Sequence, residues 1–254
     1  METNLQSCSK GAPISPHGVI EPFYKAPADR AGTVKQLFDR SAHFYDRISG
    51  FFSMGSDRRY RKMALQRAGL KVGMKMLDVA TGTGLVVRAA LQLGLDSKDI
   101  VGLDPSQGML EENRKNNPIQ LIQGYGEHIP FPDESFDFIS MGYALRHVED
   151  LRVLFEEFRR VLKPGGKVLI MEISRPRSKV AYLLMRLYMG KAVPAITRLF
   201  TGNRDAARLM EYYWATIAEC VPPETIVSAL EGSGFKDVGR TNLVGVLNDY
   251  VGVK

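Results

Sequence analysis

The chain has 254 residues, 44% of them hydrophobic and 24% charged, a profile that fits one or two globular domains and excludes a disordered chain. No apolar run approaches the roughly 18 residues needed to span a bilayer, and the opening METNLQSCSKGAP lacks the apolar core of a signal peptide. The net charge of +6 is uneven. Eight basic residues and one acid lie between Arg175 and Arg208, and seven basic residues and one acid lie between Asp57 and Lys75. The remainder is acidic, which argues against nucleic-acid binding and predicts two local basic surfaces for an anionic ligand or membrane leaflet. Cys8 and Cys220 make neither a disulfide framework nor a metal cluster, so a reducing compartment and no metal are expected.

Residues 1–32, with four prolines before position 30, read as a mobile tail or a strap. A helical cap is predicted over 33–70, where Val34, Leu37 and Phe38 share one face, with a Gly/Ser break at SGFFSMGSD. Strands follow at 75–81 (KMLDVAT), 99–104 (DIVGLD), 119–124 (IQLIQG), 136–144 (FDFISMGYA) and 166–174 (GKVLIMEIS). Helical patterns separate them, at Leu85 to Leu93, after Pro105-Ser106, and from Leu151 to Leu162. This alternation implies an α/β fold with a mainly parallel, doubly wound sheet. A helical lid insertion over 175–220 is expected above the carboxyl edge, with Val180, Leu183, Leu184, Leu187 and Tyr188 on one face and Ile196, Leu199 and Phe200 in a second helix. A last helix, Pro223 to Glu231, precedes strands Phe235–Arg240 and Thr241–Tyr250, which are too close in sequence to pair other than antiparallel.

Four elements carry chemistry. Asp78-Val-Ala-Thr81-Gly82-Thr83-Gly84 follows the first strand and opens a helix, where glycines admit a ligand to the backbone and the helix N-terminus offers N–H donors. A tight turn uses glycine for structure alone as readily. A dinucleotide fingerprint needs a third glycine three residues after the second, and that position is Val87, which counts against a nicotinamide cofactor. Asp104 ends the second strand, where a carboxylate accepts from ribose hydroxyls or caps the following helix. Tyr125, Gly126 and Glu127 open the loop to Asp137 and offer a bed and a polar edge for an adenine ring. Lys163-Pro-Gly-Gly166 is a turn into the fifth strand.

Together and in this order, these elements resemble the class I S-adenosylmethionine-dependent methyltransferases, from about residue 33 to the C-terminus. The closest likeness is to the UbiE-type ubiquinone/menaquinone C-methyltransferases. It is carried by Phe38-Asp-Arg-Ser-Ala-His-Phe-Tyr-Asp46, Ser53-Met-Gly55 with its basic helix, the GTG turn, Glu127 with Ile-Pro-Phe-Pro-Asp, Leu145-Arg146 and Lys-Pro-Gly-Gly. The resemblance implies a Rossmann-like seven-stranded sheet with one antiparallel strand, and cofactor contacts from Thr83, Asp104, Tyr125 and Gly126. The chain departs from the pattern at Leu85, where the family carries an acid, and at His147, where it carries asparagine. A family serine is also replaced by Ala144 or Gly142.

A sulfonium methyl is already activated, so such an enzyme chiefly aligns the displacement and shields it from water. An aromatic carbon attacks well once an adjacent hydroxyl is ionised. Arg146 is the expected phenolate partner and His147 the expected base. Tyr45 is expected to close over the sulfonium, whose charge is drawn to an aromatic face. The acceptor expected from the resemblance is a small apolar phenol or quinol, with a polyprenyl tail drawn from the inner face of a membrane by a cytoplasmic protein. Methylation at O or N of a soluble metabolite and a non-catalytic cofactor-binding subunit are the alternatives.

Overall fold

In the computed structural model residues 12–53 and 55–254 are described. Strand β1 (Met76–Val79) is buried along its whole length, as are all five residues of β2 (Ile100–Asp104). Parallel strands covered on both faces carry unbroken apolar runs, and these two occupy such places. With β3 (Gln120–Gln123), β4 (Phe136–Gly142), β5 (Leu162–Ile173), β6 (Lys236–Leu243) and β7 (Leu247–Val253), they form one sheet of order β3-β2-β1-β4-β5-β7-β6. Only β7 runs against the direction of the other six strands, so the fold is the seven-stranded sheet expected.

Helices cover both faces. On one side α5 (Leu151–Val161) turns Leu151, Leu154, Phe155 and Phe158 to the sheet, beside Ile226 and Leu230 of α9 (Pro223–Gly232). The Asp150 side chain caps α5 by accepting the Arg152 N–H at 2.9 Å. On the other side α2 (Ser56–Ala68) and α3 (Leu85–Gln92) pack Leu65, Val87 and Ala90 against Ile100, Phe138 and Leu169. Helix α4 (Gln107–Asn116) follows β2. A third apolar cluster contains no strand residue: it joins α1 (Arg30–Ser53) to α7 (Val193–Thr201) and α8 (Arg204–Glu219).

Four expectations are corrected. Residues 12–29 are a strap, not a mobile tail, while 1–11 lie outside the described residues. Ile20 and Tyr24 are buried against α1 and α8, and buried Arg30 donates to the carbonyls of His17 and Val148. The lid has three helices, not two: α6 (Lys179–Leu187) runs through one wide turn, Tyr188–Ala192, into α7, and α8 follows. The apolar stripe of α6 faces outward, so its periodicity marks a face without marking the core. Thr241–Leu243 belong to β6, because the reversal falls at 244–246. The basic run of α2 is partly interior: Arg61 is buried against Asp57, and Arg67 pairs with Asp249, which also accepts from Tyr60.

Candidate active site

Strands β2 and β4 flank β1 on opposite sides, and the chain leaves β1 first towards β2 and later towards β4. Loops after these strands diverge there and leave a crevice, the usual ligand place in an open α/β sheet. A cavity of about 370 Å³ occupies it, lined by Gly82, Asp104, Tyr125, Gly126 and Glu127, and by Phe38, Tyr45, Tyr143, His147 and Tyr213. Ala80 after β1 and Tyr143 after β4 both hold positive φ, at 51° and 60°. Non-glycine residues rarely adopt that conformation, and both line the cavity.

One side of the cavity is backbone and carboxylate. The Gly82 N–H donates to Asp104 Oδ2 at 2.8 Å, and the Ser106 N–H donates to Oδ1 at 2.8 Å. Burial lifts the Asp104 carboxyl to about 6 against these hydrogen bonds. A Cβ on Gly82 would meet nothing within 4 Å, so the chain leaves open space at that backbone. At Gly126 a Cβ would stand 2.7 Å from Leu154 and 2.9 Å from Val79, which requires glycine for packing. Glu127 accepts the Glu149 N–H at 2.9 Å.

The other four residues of the expected cofactor set lie behind this wall. Asp78 is fully buried, accepting from Thr81 Oγ1 at 2.7 Å and from Ser140, and burial raises its carboxyl to about 6. Gly84 holds φ +83°, and a Cβ there would clash with Asn117 and Asn113 at 2.3 and 2.6 Å. Thr83 spends its hydroxyl on Asp46. These residues shape the loop that Gly82 presents, and none of them lines the cavity.

Opposite lies an aromatic wall. Tyr45 and Tyr213 hydroxyls are 2.7 Å apart, joining α1 to α8. His147 sits among Phe38, Tyr212 and Tyr213 with ring centroids at 5.3, 5.3 and 5.9 Å. Its Nδ1 is 3.3 Å from the Tyr212 hydroxyl, and buried Nε2 has no partner among the described residues. Burial, then the charge of Arg146, hold this imidazole well below its usual pKa, so it is neutral at neutral pH. Arg146 does not line the cavity. It is fully buried, paired with Glu172, bonded to Thr216 at 3.2 Å, and its guanidinium lies 5.4 Å from the Tyr213 ring centre. Direct contact with a phenolate in this cavity, expected from the sequence, is not available to Arg146, whose guanidinium lies against the Tyr213 ring and off the cavity wall.

The cavity offers a carboxylate held by two backbone N–H groups, an open glycine backbone and an aromatic bed. These suit the ribose, the backbone-lying chain and the base of an adenosine cofactor. The family model described as the ubiE/COQ5 methyltransferase family matches residues 26–254. The chain belongs to that family. Among its relatives, the demethylmenaquinone methyltransferase of Lactobacillus johnsonii is 34% identical over 230 residues, covering 87% of this chain and 92% of the relative. The ubiquinone/menaquinone biosynthesis C-methyltransferase UbiE of Shewanella halifaxensis is 30% identical over 233 residues, covering 89% and 92%. The fold matches a methyltransferase of Thermotoga maritima at TM-score 0.59 and 20% identity, over 86% of this chain and 99% of that one. It also matches phosphoethanolamine N-methyltransferase 2 of Haemonchus contortus, solved with S-adenosyl-L-methionine, at TM-score 0.59 and 18% identity, over 91% and 60%. As a family member the protein is an S-adenosylmethionine-dependent methyltransferase.

Sequence reasoning missed Tyr143 and Tyr213, and the partners Asp39, Asp46 and Ser106. Tyr143 carries no local signal: it holds φ 60° just after β4, with its N–H bonded to the Met171 carbonyl at 2.7 Å. Tyr213 lies on a helix whose buried face becomes legible only once α1 packs on it. Among the described residues no group of three His, Cys, Asp or Glu side chains is gathered as a metal site.

Proposed function

We propose that the protein transfers the methyl group to a ring carbon of a phenol or quinol, in quinone biosynthesis, and that His147 is the base. Neutral His147, which lines the cavity and whose buried Nε2 has no partner among the described residues, carries this reading. The printed names of the relatives support it. The cofactor supplies an electrophilic methyl bound to a cationic sulfur. Asp104 would hold its ribose, and Tyr125, Gly126 and Glu127 would flank the base. His147 Nε2 takes the proton of the acceptor hydroxyl, which makes the neighbouring ring carbon nucleophilic. The Tyr45–Tyr213 pair shares one hydroxyl proton and keeps the other for the acceptor oxygen. Arg146, through the Tyr213 ring, favours negative charge at that oxygen. As the ring carbon takes the methyl, the bond from methyl to sulfur would break and leave a neutral thioether. The methylated ring then regains aromaticity by releasing its own proton to solvent, and His147 returns its proton to the oxygen.

Apolar walls and Phe38 suit a hydrophobic acceptor, and the lid suits meeting it at an anionic membrane. Val180, Leu183, Leu184 and Leu187 of α6 are exposed, and Leu199 and Phe200 of α7 are 82% and 74% exposed. Phe51 continues the patch, 5.5 Å from Phe200. Ion pairs of the lid use Arg177 and Asp205, and among the described residues no acid reaches Lys179, Arg186, Lys191 or Arg198. Apolar side chains ringed by free cations fit the headgroup boundary of an acidic leaflet. No helix of the described residues is long and apolar enough to cross a membrane.

Labelled cofactor incubated with a short-chain demethylated quinol should place the label on a ring carbon, read by mass spectrometry. Label on oxygen or nitrogen alone would overturn the carbon assignment. Flotation with acidic vesicles should show binding that weakens with salt, since exposed charges are screened over about 8–10 Å. No binding at low salt would remove the membrane from the reading.

A further inference from the structure

The segment Phe38–Asp46 contains two carboxylates that the chemistry above does not use. Asp39 and Asp46 stand seven residues apart, two turns of α1, and therefore share a face. Each reaches a different loop of the cofactor site. Asp39 Oδ1 accepts from Ser106 Oγ at 2.6 Å and from the Gly108 N–H at 3.0 Å, at the first turn of α4. Asp46 accepts from Thr83 Oγ1 and from Arg88 Nη2, the latter at 2.6 Å. A Cβ on Gly108 would stand 2.8 Å from the Asp39 carbonyl oxygen, so the α1 backbone rests directly on that loop. Along the same helix, Val34, Lys35, Phe38 and Tyr45 line the cavity.

The two sides of α1 are held differently. Val34, Leu37 and Ile48 pack with Leu209, Met210 and Tyr213 of α8, in a cluster that contains no strand residue. Towards the cofactor loops the junction is polar. The Asp39 and Asp46 side chains are 27% and 38% exposed, so water can replace their bonds. Apolar burial ties α1 to the lid, and beyond its first residue, Arg30, whose bond to the Val148 carbonyl is buried, exchangeable hydrogen bonds tie it to the sheet domain.

We propose that Asp39 and Asp46 are the latches of a cofactor gate. Helix α1, moving with the lid helices it packs on, parts from the loops at these two points to admit the cofactor and release the spent product. When shut, it positions the Gly82–Thr83 and Asp104–Ser106 segments. Both carboxylates are positioning residues. The proposal rests on the assignment of this cavity to the cofactor, and no part of it depends on which acceptor is methylated.

Binding and release of radiolabelled S-adenosylhomocysteine, followed by rapid filtration, test it in the wild type, Asp39→Asn, Asp46→Asn and the double variant. Asparagine keeps the size of the side chain and removes the charge. Association and dissociation rates should both rise, by about three- to tenfold in the double variant, as expected for losing one or two modest hydrogen bonds. Affinity, the ratio of the two rates, should move less than either rate. Unchanged rates in folded variants would overturn the gate, and so would faster release with unchanged association, which marks simple loop support. Absence of binding to the wild type would instead defeat the cofactor assignment, and that result is read before any variant. Should the variants fail to fold, hydrogen exchange over residues 30–53 of the wild type decides. The ligand should slow it, and exchange indifferent to saturating ligand would overturn the proposal.

Discussion

The two halves of the active site are built by different means. The half proposed for the cofactor is a strand-edge device of backbone N–H groups, glycines and carboxylates, at the ends of β1, β2 and β3 and in the loops that follow them. The acceptor half is an aromatic wall assembled from α1, the loop after β4 and α8, whose members are up to 168 residues apart in the Tyr45–Tyr213 pair. Local backbone geometry builds the first half. The second depends on side-chain packing, and it is where this chain carries His147.

The contrast breaks most visibly at Arg146, which belongs to the acceptor half yet is sealed in the core. Arg146→Ala leaves the Glu172 carboxylate buried without its cation and should cost about 3–5 kcal/mol, read by denaturant unfolding. Loss of activity at unchanged stability would show instead that Arg146 reaches the acceptor.

At the next level of effect, His147→Asn should lower kcat by roughly 10²-fold while leaving cofactor affinity within about twofold, because only the proton acceptor is removed. Calorimetry and turnover together check the separation. Retained turnover would move the base elsewhere on the aromatic wall.

The cofactor half answers to Asp104→Ala, which should weaken adenosylmethionine binding by about 2 kcal/mol through loss of a charged acceptor. A pH series sharpens the same point. The Asp104 carboxyl of the free protein titrates at about 6, and its ionised form is the one that accepts from ribose. Affinity should therefore be steady above that pH and fall by about tenfold per unit below it. His147, pushed well below its ordinary pKa by burial and by Arg146, should hold the acidic limb of kcat at saturating cofactor below pH 6.5. A kcat limb above pH 7 would contradict a buried neutral imidazole.

The smallest effect is expected on the lid. Leu184→Ser and Leu199→Ser remove exposed side chains and should change stability by no more than about 0.5 kcal/mol, while reducing vesicle binding. A large loss of stability would mean that these faces are covered in the folded protein.

By itself the sequence determined the sheet, the alternation of strands with helices, and the turns at Gly82, Asp104 and Gly126 that line the cavity. Those features rest on local rules: apolar runs for covered strands, glycine where the backbone turns or is approached, and a carboxylate at a strand end. Tertiary structure decided what periodicity could not. The stripe of Val180, Leu183, Leu184 and Leu187 is amphipathic, and a helical repeat does not say whether its apolar face meets protein or the outside. Residues 12–29, poor in pattern, became a strap because Ile20, Tyr24 and Arg30 find partners far along the chain. Arg146 was legible as important and not as buried, since its partner Glu172 lies on another strand. Tyr143 holds a left-handed backbone where β4 opens onto the cavity, and α1 meets the segments after β1 and β2 through Asp39 and Asp46. Such contacts join distant segments, and distance along the chain is what a local pattern does not encode.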